Sequence, residues 1–184
     1  MKAFSVIGVK GSGKTTSIEN IIPELMKRGY SVGSIKEIHC EEFALDTEGS
    51  NTDRHKKAGA QLVTARGKYE TDLLFSRRLA VQEILKFYAD FDYVVMEGVS
   101  DTNVPKIITA LQVEEIDKRM DETVIAISGR IANTMQMYKG LQVINAMTEL
   151  EKLVDFLEEK VADWQPDVPE KVCTHCKRLD KLVI

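Results

Sequence analysis

Near its amino terminus the chain reads Gly8-Val9-Lys10-Gly11-Ser12-Gly13-Lys14-Thr15, which satisfies the phosphate-loop pattern G-x-x-x-x-G-K-[ST] in full. An apolar run over residues 4–9 precedes the loop, and apolar residues at helical spacing follow it as far as Met26. The glycines allow successive backbone N–H groups to point at phosphate oxygens, and the start of a helix adds partial positive charge. This strand, loop and helix together predict a nucleoside triphosphate site.

The loop residues have separate expected roles. Lys14 supplies a mobile charge for the β- and γ-phosphates, and the Thr15 hydroxyl can ligate Mg²⁺. Lys10 is expected to be merely exposed, because variant phosphate loops carry their extra lysine at the position that Val9 occupies here. The predicted phosphate-binding residues are Gly8, Gly11, Ser12, Gly13, Lys14, Thr15 and Thr16.

A second buried-type strand ends in an acidic residue. The run over residues 93–96 is apolar, and Glu97 and Gly98 follow it directly. Phosphate-loop proteins place an acidic side chain at the end of such a strand, near the magnesium ion, and Gly98 lets the backbone pass close to the phosphate. Glu97 can either hold a magnesium-bound water or polarise an attacking water. Lys14 and Glu97 are therefore the candidate catalytic residues, and Thr15 and Glu97 the candidate Mg²⁺ ligands.

Strand-like and helix-like runs alternate through the rest of the chain. Further strands are expected near residues 30–35, 61–65, 71–75, 107–111 and 124–127, and helices near 52–60, near 79–88 and from 148 onward, where Thr148 and Glu151 suit a capping box. This pattern predicts an α/β fold like that of P-loop NTPases, with a mostly parallel sheet and helices on both faces. Residues 1–164 are expected to form one nucleotide-binding domain, and residues 165–184 a linker and a short cysteine-containing tail. An acidic run over residues 114–122 is interpreted as solvated surface.

The composition narrows the possible functions and locations. The 184 residues include 25 Lys and Arg against 29 Asp and Glu, a net charge of −4, which argues against a general nucleic-acid binder. The apolar runs are too short for a transmembrane helix, and the phosphate loop comes too early to leave room for a signal peptide. An odd number of cysteines, 3, suits a reducing compartment. The chain is therefore expected in the cytoplasm, without nucleic-acid or membrane partners.

The identity of the nucleoside stays open at this point. The chain holds no Asn-Lys-x-Asp segment, which is the usual guanine-reading element of signalling GTPases. Residues 128–133 follow a predicted strand and can form either a base-contacting loop or a solvated turn. Neither the composition nor the motifs choose between GTP and ATP.

Short segments elsewhere in the chain accompany the phosphate loop. They are Ile21-Ile22-Pro23-Glu24-Leu25, Ile35-Lys36 with His39, Arg54-His55-Lys56-Lys57-Ala58-Gly59-Ala60, Glu97-Gly98 and Pro105-Lys106-Ile107. Together they resemble the molybdopterin-guanine dinucleotide biosynthesis protein B (MobB) family in order and spacing. The resemblance extends from about residue 3 to about residue 110, and more weakly to residue 163.

The resemblance implies a GTP-binding adaptor, usually a homodimer, that assists the attachment of GMP to molybdopterin. Nucleotidyl transfer would belong to a partner, a MobA-like molybdopterin guanylyltransferase, and intrinsic GTP hydrolysis would be slow. The further residues that it places beside the triphosphate, at the carboxyl edge of the sheet, are Lys36, His39, Arg54 and His55. The family commonly has three histidines after the second strand, whereas this chain keeps only His39, which leaves room for a different metal cofactor.

Two other functions are compatible with a phosphate loop. A small-molecule kinase also needs Mg²⁺ and an acceptor pocket, but it normally has an arginine-rich lid. Here Arg77, Arg78 and Arg130 are scattered along the chain. A metal-cofactor insertion ATPase is the other alternative, and it is suggested by the cysteines near the carboxyl terminus.

The last candidate site is the segment Cys173-Thr174-His175-Cys176. Two cysteines at this spacing can bind one Zn²⁺, but a closed structural site needs four ligands. The missing ligands can be His39 and Cys40, or the same cysteines of a second subunit. We hypothesise the second arrangement, a zinc ion that bridges a dimer. Two free thiols, or redox or cluster chemistry, are the alternatives.

Overall fold

The structure, a computed structural model, describes residues 1–40 and 43–165 of the chain. In chain order these residues form β1 (Lys2–Gly8), α1 (Lys14–Lys27), β2 (Val32–Lys36), α2 (Asn51–Lys57), β3 (Leu62–Arg66), β4 (Thr71–Phe75), α3 (Val81–Leu85), β5 (Tyr93–Glu97), β6 (Lys106–Thr109), α4 (Val113–Asp117), β7 (Val124–Ser128), β8 (Met137–Tyr138), β9 (Leu141–Gln142) and α5 (Leu150–Lys160). Short 3₁₀-helices lie at Lys86–Tyr88 and Arg130–Asn133. Apart from Gln165, the predicted linker and tail lie outside the described residues, so the predicted domain boundary stays a prediction.

A parallel sheet in the strand order β2-β5-β1-β6-β7 forms the centre of the fold. Parallel strands are buried on both faces and need nearly continuous apolar sequence, and every residue of β5 is buried. Because β1 lies between β5 and β6, the loop that follows it emerges at the middle of the carboxyl edge. Open α/β sheets bind their ligands at this edge.

Helices cover both faces of the central sheet. On one face, α1 and α5 pack Ile21 and Leu153 against Phe4. On the opposite face, α3 packs Leu85 over β5, and α4 packs Ile116 over β6 and β7. The predicted α/β architecture, a mostly parallel sheet with helices on both faces, is confirmed. In the described part of the chain, no helix has the length and apolar character needed to cross a membrane.

Two small antiparallel strand pairs lie outside the central sheet. The pair predicted at residues 61–65 and 71–75 is confirmed as β3 and β4. The pair formed by β8 and β9 was not predicted, since each of its strands has only 2 residues. The β9 end of this pair continues toward β7, because Val143 forms a parallel bridge to Ile127.

The predicted capping box at the last helix is wrong. α5 begins at Leu150, and its N-cap residue Glu149 makes no side-chain cap hydrogen bond. Instead, Oδ1 of Asn145 accepts hydrogen bonds from the backbone N–H groups of Met147 (2.9 Å) and Thr148 (3.3 Å). The turn before the helix is therefore held by Asn145 and not by a capping box at Thr148.

The acidic run over residues 114–122 is only partly solvated surface. It contains most of α4, and Ile116 of this helix is fully buried against the sheet. The helix has only 5 residues, and in the segment that follows it Asp121 pairs with Lys106 of β6 (3.0 Å). This segment becomes a wall of the site described next.

Candidate nucleotide-binding site

The phosphate loop between β1 and α1 is held in a tight curl. Gly11 (φ +79°) and Gly13 (φ +108°) adopt backbone conformations that favour glycine. The buried Ser12 hydroxyl lies 2.8 Å from the carbonyl oxygen of Val9 and 2.7 Å from Oγ1 of Thr109. These contacts brace the loop against the end of β6, so that its N–H groups can converge on an anion.

Lys14 lies over the loop that it is predicted to serve. Its Nζ donates hydrogen bonds to the carbonyl oxygens of Gly8 (3.0 Å) and Val9 (2.8 Å). Both acceptors are neutral, and a phosphate oxygen is a stronger acceptor for an ammonium group than a carbonyl. The ammonium is therefore close to the place where a triphosphate would lie, and it can exchange these carbonyls for phosphate oxygens.

The electrostatic surroundings of Lys14 favour an added anion. Burial lowers the pKa of Lys14, the Glu97 carboxylate opposes this, and the positive charges of Lys36 and Arg119 lower it further. The net result is a pKa below the usual range for lysine. An oxyanion beside Lys14 would stabilise the charged ammonium.

Glu97 contacts two other predicted site residues at the end of β5. Oγ1 of Thr15 donates a hydrogen bond to Oε1 of Glu97 (2.8 Å), and the Lys36 ammonium forms an ion pair with the same oxygen. Burial alone would raise the pKa of Glu97, but hydrogen bonds from Lys36 and Thr15 and the charge of Lys14 hold it below its usual value. Neighbouring hydroxyl and carboxylate oxygens are the hard donors that Mg²⁺ prefers, so these residues fit a Mg²⁺ ion.

These side chains open into one large cavity of about 820 Å³ at the carboxyl edge of the sheet. The predicted site residues that line it are Gly8, Gly11, Lys14, Thr15, Lys36, His39, Glu97 and Gly98. Arg54 and His55 are not among its lining residues and lie exposed on α2. The structure therefore does not bring them together with the others, and their contact with a triphosphate stays a prediction.

A smaller side cavity of about 280 Å³ lies beside the first turn of α1. Its walls are formed by Gly13, Thr16, Ser17, Gly129, Arg130, Asn133, Asn145, Ala146 and Met147. Nδ2 of Asn145 donates a hydrogen bond to Oδ1 of Asn133 (2.8 Å), which joins two of these walls. Residues 130–133 of the predicted loop or turn thus form a 3₁₀-helix that borders a small pocket next to the phosphate loop.

Sequence reasoning missed several basic residues of the large cavity. Lys10 is exposed, as predicted, but it also lines this cavity. Lys106, Lys118 and Arg119 line it as well. Lys106 belongs to one of the segments that carry the family resemblance, which was the available signal. Lys118 and Arg119 stand inside the acidic run, where neither composition nor pattern separates them from the surface.

The family model described as molybdopterin guanine dinucleotide synthesis protein B (MobB) matches residues 3–130. The chain belongs to the MobB family. A Bacillus subtilis relative, named probable molybdopterin-guanine dinucleotide biosynthesis adapter protein, is 31% identical over 144 residues, covering 77% of this chain and 83% of the relative. A Haemophilus influenzae molybdopterin-guanine dinucleotide biosynthesis adapter protein is 31% identical over 164 residues, covering 84% of this chain and 86% of that protein.

Solved structures of MobB proteins show the same architecture. The crystal structure of Bacillus subtilis MobB matches with a TM-score of 0.72 at 26% identity, covering 89% of this chain and 100% of that one. The family resemblance and the P-loop NTPase-like fold predicted from the sequence are thereby confirmed.

Proposed function

We propose that this chain is a GTP-binding adaptor in molybdopterin-guanine dinucleotide biosynthesis, the process stated in the names of its relatives. The observation that carries the proposal is the 2.8 Å contact between Thr15 and Glu97, beside Lys14 on the phosphate loop of a MobB-family chain. This set of groups can bind a triphosphate together with Mg²⁺.

Each residue around the phosphate loop has a definite task in this proposal. Lys14 leaves its carbonyl acceptors and binds the β- and γ-phosphates, while the N–H groups of the loop bind the remaining oxygens. Thr15 and Glu97 hold Mg²⁺, which when bound neutralises charge on the phosphates. Lys36 pairs with Glu97 and is placed to contact the terminal phosphate as well.

Glu97→Gln is expected to weaken the binding of GTP in Mg²⁺ by about tenfold, or ~1.4 kcal/mol. The change removes the charge that would hold the ion but keeps an oxygen that can accept the Thr15 hydrogen bond. Calorimetric titrations with and without Mg²⁺ measure the affinity for GTP. We expect Mg²⁺ to raise the affinity of the wild-type chain much more than the affinity of Glu97→Gln. Lys160→Ala, an exposed change at the far end of α5, is the control.

The pH dependence of binding follows from the lowered pKa of Glu97. The carboxylate stays ionised as the pH falls to the ordinary glutamate pKa of ~4.3, so Glu97 itself should not limit the effect of Mg²⁺ until the pH is lower still. If Glu97→Gln keeps the full Mg²⁺ effect at neutral pH, Glu97 is not a magnesium ligand.

We assign the nucleobase to the side cavity and infer that it is guanine. Oδ1 of Asn133 is already occupied by Asn145, so the amide N–H groups of Asn133 are left to donate. Arg130 lines the same cavity and has no ion pair among the described residues. Guanine presents two acceptors, N7 and O6, on one edge, whereas adenine pairs the acceptor N7 with a donor. The donors of Asn133 and Arg130 therefore favour GTP over ATP.

Asn133→Ala is expected to lower the affinity for GTP by about tenfold and to leave the affinity for ATP nearly unchanged. The reason is that the discriminating hydrogen bond is donated to O6, an acceptor that adenine lacks. Competition of both nucleotides against a fluorescent analogue measures the ratio, and Asn103→Ala at an exposed loop position is the control. An unchanged ratio of GTP to ATP affinity would place the base elsewhere.

An adaptor has no need of rapid phosphoryl transfer, and the arginines do not form a kinase lid. Arg77 pairs with Glu83, and Arg78 pairs with Glu37 and Asp101. Neither arginine lines the large cavity. We therefore expect GTP hydrolysis well below the ~1–100 s⁻¹ of kinases. Rapid production of ADP from ATP that depends on an added acceptor would contradict the proposal.

The proposed partner is a MobA-like molybdopterin guanylyltransferase. The test is the rate at which such an enzyme attaches GMP to molybdopterin, measured with and without this chain. We expect the wild-type chain and Lys160→Ala to raise the rate when GTP is limiting, and Lys14→Ala to leave it unchanged. Equal rates with the wild-type chain and with none would contradict the adaptor role.

We further propose a cytoplasmic homodimer, with Zn²⁺ shared between the Cys173 and Cys176 pairs of two subunits. The separate β3–β4 ribbon supports the dimer, since Leu62 (46% exposed) and Leu73 (48%) leave apolar surface on a two-stranded sheet of marginal stability. The cysteines lie outside the described residues. Elemental analysis of tag-free protein should give about one zinc per two chains, and Cys173→Ser should remove it. A metal-free dimer would contradict the shared zinc.

A further inference from the structure

A groove runs from the phosphate loop along the sheet face opposite α1. Ile7 of β1 lines the large cavity and packs with Ile108, whereas Phe4 packs under α1 on the other face. On the groove side, α3 covers β5, and α4 covers β6 and β7. The carboxyl half of β1 therefore lies between these two helices, which leaves room above it.

The groove extends well beyond the phosphate loop. Lys106 lines its far end and is in register with Ser5, while Thr109 is in register with Gly8, where the loop begins. At ~3.3 Å per residue, Lys106 lies roughly 10 Å below the start of the loop along the strand. The whole cavity of about 820 Å³ is within the size range of sites that enclose a complete small molecule.

The positive charge of the groove is not balanced by its carboxylates. Each acidic residue that lines the groove already forms an ion pair with a lysine or an arginine. The pairs are Glu97 with Lys36, Asp121 with Lys106, and Glu37 with Arg78. Within the described ranges, the groove cations without a carboxylate partner besides Lys14 are Lys10, Lys118 and Arg119. This excess of positive charge calls for an anionic ligand.

Lys106 and Arg119 have donors left for such a ligand. Nη1 of Arg119 donates to the backbone carbonyl of Glu115 (2.9 Å), and a guanidinium has five N–H donors in all. The Lys106 side chain is only 5% exposed. Among the described residues, its ammonium donates a hydrogen bond to one acceptor, the Asp121 carboxylate (3.0 Å). The remaining N–H groups are available on the wall of the cavity.

We propose that Lys106, Lys118 and Arg119 form a second anion subsite, which binds the phosphate group of a small molecule next to the nucleotide. The planar fork of arginine and the point charge of lysine together suit a phosphate monoester. The inference rests on the proposed function, because it requires GTP on the phosphate loop. With the base in the side cavity, on the α1 and α5 face, the nucleoside extends away from this subsite.

The test uses protein saturated with Mg²⁺ and a non-hydrolysable GTP analogue. Phenyl phosphate is titrated calorimetrically into this complex, with phenol as its neutral counterpart. We expect saturable binding of phenyl phosphate alone, weakened by about tenfold or more in Arg119→Ala and in Lys118→Ala. The affinity for the GTP analogue should change less than about threefold in Lys118→Ala and by less than about tenfold in Arg119→Ala, and Lys160→Ala should match wild type throughout.

Three other results of these titrations would contradict either the second subsite or the proposed function. If the saturated complex does not bind phenyl phosphate, or if both variants bind it as wild type does, the second subsite is wrong and the GTP site stands. If Arg119→Ala instead weakens the GTP analogue by tenfold or more, Arg119 serves the triphosphate and the inference is wrong. If the GTP analogue itself does not bind, the proposed function is wrong. This result is seen in the first titration, before phenyl phosphate is added.

Discussion

Lys14→Ala is expected to weaken GTP binding by at least about 100-fold, or ~2.8 kcal/mol, while the free energy of unfolding changes by less than about 1 kcal/mol. The ammonium is the charge nearest to the phosphates, and its present acceptors are the carbonyls of Gly8 and Val9. Lys14 is not among the buried residues of the core, so its removal should leave the packing of β1 and α1 intact. Calorimetry measures the affinity, and urea denaturation measures the stability.

The control for this prediction is Lys160→Ala, which removes an equal charge at the far end of α5. We expect wild-type affinity for GTP in the control. If Lys14→Ala binds GTP and ATP within a factor of about two of wild type, the assignment of the phosphate loop is wrong.

Gly129→Ala is expected to lower the free energy of unfolding by about 3–4 kcal/mol and to abolish GTP binding. Gly129 has φ +83° and ψ −157°, a conformation that is essentially restricted to glycine. An added Cβ would lie 2.3 Å from the carbonyl oxygen of Ser12 and 2.9 Å from Cβ of Thr109. The first of these atoms belongs to the backbone of the phosphate loop, so the loop must move.

Gly140→Ala is the control for adding a Cβ at a glycine with positive φ where there is no steric clash. Gly140 has a similar φ of +84°, but an added Cβ there has no neighbour within 4 Å. The control should therefore lose only about 1 kcal/mol of stability and should bind GTP as wild type does. Equal destabilisation by the two variants in urea denaturation would show that contact with the phosphate loop is not the cause.

The sequence predicts the centre of the site because its signals are local. The phosphate loop is one continuous segment, and the apolar run before Glu97 predicts a buried strand. Since the carboxyl ends of parallel strands meet at one edge of a sheet, Glu97 and Thr15 were expected close together, and they lie 2.8 Å apart. Lys36 joins them for the same reason, because β2 pairs with β5.

The outer walls of the site could not be predicted in this way. Lys118 and Arg119 follow α4 directly and line the large cavity, but nothing in a charged run of sequence indicates which of its residues face a cavity. The turn held by Asn145 depends on hydrogen bonds that compete with the capping box expected at Thr148. Contacts of this kind are set by the folded structure rather than by spacing along the chain.

In the proposed function, the phosphate loop binds GTP in preference to ATP. Calorimetric titration of each nucleotide into the wild-type chain in the presence of Mg²⁺ tests it most directly. We expect one GTP to bind per chain, at least about tenfold more tightly than ATP. Absence of GTP binding, or tighter binding of ATP, would contradict it.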